Sequence, residues 1–125
     1  MELEYVTISY KEPIVYLVFK EGAELGIPEI RDLTVQAEAI SNKKPYFILS
    51  DVRVTMDVTH EGRRLAANAK SAPFHRGTAV LVQNTLYQYA ATLFSKFDKP
   101  EFPYRVFTSE QEALNWLRQL PSEYT

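Results

Sequence analysis

"KFDKPEFPYRVFTSEQEALNWLRQL", residues 96–120, carries the reading that decides the fold. Pro100 and Pro103 keep its first third stiff and extended, because proline fixes φ and steers its predecessor away from the helical region. Tyr104 to Phe107, "YRVF", is then a short strand of aromatic and β-branched residues. Hydroxyl residues follow at once. Thr108 with Gln111, or Ser109 with Glu112, has the spacing of a capping box. Glu110 and Glu112 fall in the first turn, where the helix dipole favours negative charge. Ala113, Leu117 and Leu120 form a stripe at helical spacing, with Trp116 beside it, and Pro121 stops the helix.

The same strand-then-helix unit recurs upstream. Gly77 to Val82, "GTAVLV", is a buried strand. Thr85 can cap the helix after it, with Gln88 completing the box. Leu86, Tyr89, Ala90, Leu93, Phe94 and Phe97 set that helix's apolar face, and Tyr87 lies off it. Tyr46 to Leu49, "YFIL", is another buried strand, followed by "SDVRVTMDV". Thr59 then caps a helix from about His60 to Lys70, whose narrow apolar face is Leu65, Ala66 and Ala69; alanines there suit close approach to neighbours. Pro28 fits the first turn of a helix carrying Ile30, Leu33, Ala37 and Ile40, which Asn42-Lys43-Lys44-Pro45 ends.

Two strands precede these units. Leu3 to Tyr10 alternates, with Val6, Ile8 and Tyr10 on one face. After the break Lys11-Glu12-Pro13, Ile14 to Lys20 ("IVYLVFK") is almost continuously apolar, as suits the more buried strand of a hairpin. The order ββαβαβαβα predicts one α/β domain over residues 1–125. Its sheet is mainly parallel with right-handed crossovers, and its first strand is antiparallel at an edge.

Composition bounds the function. At 125 residues the chain can bury a core without staples. Hydrophobic residues are 46% and charged residues 24%, ordinary for a globular protein. A net charge of −2 argues against general nucleic-acid binding, which needs a positive field. The absence of cysteine excludes disulfides, thiolate nucleophiles and cysteine-ligated metals. "MELEYVTISYKEP" is unlike a signal peptide, and no apolar run reaches the ~20 residues of a membrane span. The expected location is the cytosol. With four glycines, none clustered, and no Walker or Gly-x-Gly-x-x-Gly pattern, no nucleotide cofactor is expected. His60 and His75 are the only histidines and have no metal-ligand spacing. His60 reads as an exposed first-turn residue and His75 as part of the loop "APFHRG".

From Leu49 to Leu120 the chain resembles small bacterial STAS-like proteins, related in fold to the anti-sigma-factor antagonists. The likeness rests on "DVR" after a buried strand, on "RRLAANAK", and on "AVLVQNTLYQYAATLFSKFDKPEFPYRVFTSEQEALNWL". It implies a βα-superhelix that acts by binding rather than turnover. It also implies a phosphorylatable hydroxyl near the start of the second helix in the switch branch of the superfamily. "MDVTHEG" is the equivalent stretch: Asp57 matches the acidic position and Thr59 the acceptor, whereas Val58 and His60 depart from the motif and the glycine falls at Gly62.

Ligands of open α/β sheets bind beyond the carboxyl ends of the parallel strands. That topology brings Asp51, Arg53, Asp57, His60, Asn84 and Arg63 to one rim, with Arg64, Thr108 and Ser109 near it. Asp51 and Arg53, two apart, either hold a polar ligand or pair with each other. Thr59 is either a phospho-acceptor or an N-cap. The expected role is a non-catalytic regulatory or ligand-binding module, with a protein partner or a second copy as the main associate. Two alternatives stand: an enzyme using Asp51, Asp57 or His60 on a polar metabolite, and an apolar-ligand protein, which needs an open apolar cavity.

Overall fold

The computed structural model describes residues 1–120, with the side chains of all but 93–97. In chain order the elements are β1 (Val6–Lys11), β2 (Ile14–Phe19), β3 (Glu24–Leu25), α1 (Ile27–Ile40), β4 (Tyr46–Asp51), β5 (Asp57–Val58), α2 (His60–Ala67), β6 (His75–Leu81), α3 (Thr85–Asp98), β7 (Tyr104–Phe107) and α4 (Glu110–Gln119). A 3-10 turn, Ala69–Ser71, separates α2 from β6.

The main sheet has the order β1-β2-β4-β6-β7. β1 and β2 are antiparallel, with Val6 opposite Phe19. Every other pair in it is parallel. The ββαβαβαβα order and the antiparallel edge therefore stand as read from the sequence. The two-residue strands β3 and β5 are additional; they pair parallel to each other, apart from the main sheet. Two-residue strands carry too little alternation to register as a pattern.

Both faces of the sheet carry helices, although on the α4 side Val18 of β2 stays 46% exposed. On one, Phe47, Leu49, Ala79, Leu81 and Phe107 meet Ala113 and Leu117 of α4. On the other, Val15, Leu17, Phe19 and Tyr46 pack with Leu33 and Ala37 of α1. Val6, Ile8 and Val15 are fully buried, and such burial stabilises by roughly 1.5–3 kcal/mol per side chain.

Several local expectations change. The N-cap of α3 is Asn84, whose Oδ1 accepts the Tyr87 N–H, and not Thr85. Gln88 does not close a capping box; its Nε2 donates to the Val106 carbonyl at 3.1 Å, on the outer edge of β7. Leu86 and Tyr89, expected on the apolar face, are 75% and 65% exposed. α2 ends at Ala67 rather than Lys70 and buries Gly62 and Ala67, while Ala66 and Ala69 are exposed. Pro121 and the side chains of Leu93, Phe94 and Phe97 lie outside the described residues. No helix among the described residues is long and apolar enough to cross a membrane.

Candidate functional site

The predicted rim divides into two. Asp51 and Ser50 are neighbours on β4, so alternation sends them to opposite faces of the sheet. On Asp51's side the carboxylate grips its neighbour. Arg53 Nε donates to Oδ1 at 3.0 Å, Nη2 to Oδ2 at 2.8 Å, and the Arg53 N–H to Oδ1 at 3.1 Å. Arg53 is held further toward its charged form by this bond and by the charges of Asp51 and Glu110. The pair satisfies itself, which is the local reading of those two residues.

Thr59 caps α2, its Oγ1 accepting the Gly62 N–H at 3.0 Å. His60 is exposed on the first turn of α2, and Asn84 caps α3. Only Asp57 and Arg63 of the rim reach the second location, which is a cavity.

That cavity, of about 470 Å³, lies between the α1 face of the sheet and the helices above it. Its floor includes Leu17, Ile48, Ser50, Thr78, Val80 and Tyr104. Its roof includes Leu33 and Ala37 from α1, Ala66 and Ala67 from α2, and Ala91 from α3. The lining is mostly apolar. The roof is rich in alanine, and a short side chain on a helix leaves space above the sheet that leucine would fill. The alanines of α2 therefore open a cavity, where the sequence suggested close helix packing. Its volume falls in the ~300–1,000 Å³ range of small-molecule sites. The connection after α3 is tied to the end of α2: the Glu101 N–H donates to the Ala67 carbonyl at 3.0 Å, and Glu101 Oε1 accepts the Ala69 N–H at 2.8 Å.

His75 belongs to this site and not to a surface loop. Tyr46 pairs with His75 but Ile48 pairs with Thr78, so β6 spends three residues where β4 spends two. This bulge reverses the alternation and puts His75 on the same face as Thr78. Its ring lies between Tyr46, at 5.8 Å and 26°, and Phe102, at 4.2 Å and 64°. Burial is the largest influence on the imidazole and pushes its pKa down to about 4, so it is neutral at physiological pH.

Nε2 of His75 lies 2.6 Å from Thr78 Oγ1 and 3.0 Å from the Gly77 carbonyl. A histidine beside a hydroxyl in a cavity suggests a base and nucleophile, but the carbonyl decides otherwise. A carbonyl only accepts, so Nε2 carries the proton and donates. It then has no lone pair with which to take a proton from Thr78, and the arrangement positions the ring without activating the hydroxyl.

The charged lining is concentrated at one end. Arg63 Nη1 donates to the Val58 carbonyl at 3.0 Å, and its Nε lies 3.4 Å from Asp98 Oδ2. Tyr104 is near that carboxylate. Burial first, then the Asp98 charge, pushes its hydroxyl up to about 12.

Comparison with known proteins agrees with the fold. The structure is similar to the crystal structure of an uncharacterized protein of the DUF3478 family, with a SpoIIAA-like fold, from Shewanella loihica PV-4. The two share 20% identity over 90% of this chain and 91% of that one, with a TM-score of 0.57. At that identity the likeness shows a SpoIIAA-like fold, in keeping with the STAS-like resemblance. No curated protein matches. The model of one family, described as a domain of unknown function (DUF7793), matches residues 8–121, and the chain belongs to that family.

Proposed function

We propose that this protein is a non-catalytic binding module whose ligand is a small, mainly apolar molecule held in the cavity between sheet and helices. The observation that carries this reading is the cavity itself: about 470 Å³, mostly apolar, in a chain of only 125 residues. Interiors are close-packed, so an apolar cleft of that size, open on one side and reaching between sheet and helices, is not an ordinary packing gap. The enzyme alternative has less support. Asp51 is held by Arg53, His60 is absent from the cavity lining, and His75 is tied through Nε2.

Titration with Nile red, an uncharged dye that brightens in apolar surroundings, tests the reading. Saturable binding at one site per chain is expected, and Ala67→Leu, which enlarges a side chain of the lining, should weaken it at least about tenfold. Binding that never saturates, or that Ala67→Leu leaves unchanged, would overturn the cavity as the working site.

A further inference from the structure

The polar groups of the lining restrict the head group of any ligand. Among the described residues its charged side chains are one guanidinium, Arg63, and two carboxylates, Asp57 and Asp98. The guanidinium is already engaged by the Val58 carbonyl and by Asp98. His75 adds no positive charge at neutral pH. An anionic head group entering here meets a net negative end and must break the Arg63–Asp98 pair to find a cation. Leaving a charge unpaired in a mostly apolar site is unfavourable.

An uncharged head group meets the opposite situation. Ser50 and Tyr104 line the cavity, and neither hydroxyl has a hydrogen bond to a described residue. Each can both donate and accept. The other hydroxyls of the described lining, on Thr34, Ser71 and Thr78, are already bonded within the protein, and its many aliphatic and aromatic side chains suit an alkyl body.

Building on the cavity reading, we infer that the occupant is a single-chain amphiphile with an uncharged, hydroxyl-like head group, and that the site selects against carboxylates and other anions. Displacement of Nile red by three ten-carbon probes tests this: decanol, decylammonium and decanoate, compared at about pH 7.5, where the two ions are charged. Decanol should displace at the lowest concentration and decanoate at the highest, with roughly tenfold or more between them.

The cation is the control. A merely greasy site rejects both ions alike, whereas a negative end rejects decanoate more than decylammonium. Asp98→Asn should shrink the decanoate penalty and leave decanol unchanged. Asp57→Asn, at an exposed position, should do the same if the Asp98 variant fails to fold. Decanoate binding as well as decanol, or the two ions binding equally, would overturn the inference while leaving the cavity reading intact. Displacement by none of the three would also overturn it. Failure of Nile red itself to bind would sink the cavity reading beneath it.

Discussion

His75 shows what one buried titratable side chain does to stability. Its pKa in the fold is about 4, against 6.5 for an unperturbed imidazole, and burial is the chief cause. Between those pH values the unfolded chain binds a proton at this position that the folded chain refuses. Its contribution is therefore fully present above about pH 6.5, declines as pH falls toward 4, and flattens below that. The loss amounts to as much as about 3 kcal/mol. Carboxylates titrate in the same window, so the decisive quantity is a difference. Urea unfolding across this range should give His75→Gln a shallower pH dependence than the unsubstituted protein; equal slopes would mean that His75 is not buried as a neutral ring. Thr59 is a simpler case. Its hydroxyl caps α2, so Thr59→Val should lower stability by about 1 kcal/mol and Thr59→Ser should restore it, both measurable by thermal unfolding.

At the scale of the element, the contrast is between strands and caps that pattern reveals and orientations that only packing sets. The strands β1, β2, β4, β6 and β7 were legible because their apolar runs are bounded by Pro, Gly and polar breaks. α4 was legible down to its cap, since Ser109 Oγ accepts the Glu112 N–H, the N-cap half of one of the two boxes read from the sequence. α3 was not. Its apolar residues repeat at helical spacing, yet Leu86 and Tyr89 face solvent. Gln88, between them, is instead turned to the edge of β7. Periodicity finds a face, and tertiary contacts choose which face is buried. The bulge in β6 was hidden for a related reason: alternation counted back from Gly77 puts His75 on the α4 side, and the extra residue moves it to the cavity. The α4 side at Gly77 is tight. A Cβ there would lie 3.1 Å from Leu120 Cδ1 and 3.3 Å from Phe47 Cδ1. Gly77→Ala should then destabilise by about 1–3 kcal/mol through overpacking against α4, read as a drop in the urea midpoint. An unchanged midpoint would show that α4 yields at little cost.

For the whole molecule, the cavity is the feature the sequence concealed most completely. A void has no residue of its own. Its signature is a set of small side chains, Ala37, Ala66, Ala67 and Ala91, drawn from three helices far apart in the chain. Each alone reads as a good helix former. The rim read from strand ends overlaps the cavity at Asp57 and Arg63, and it mixes these with Asp51 and Arg53 on the opposite face. What the cavity costs the fold can be measured. If it is open in solution, Ala67→Leu adds apolar contacts to empty space and should raise stability by about 0.5–2 kcal/mol. If instead α2 settles onto the sheet, the same leucine is forced into filled space and should destabilise by about 1–3 kcal/mol. Urea unfolding of that variant separates the two by sign. A gain in stability accompanied by loss of Nile red binding is the outcome expected of a cavity kept for a ligand, because the space that weakens the empty fold is the space the ligand fills.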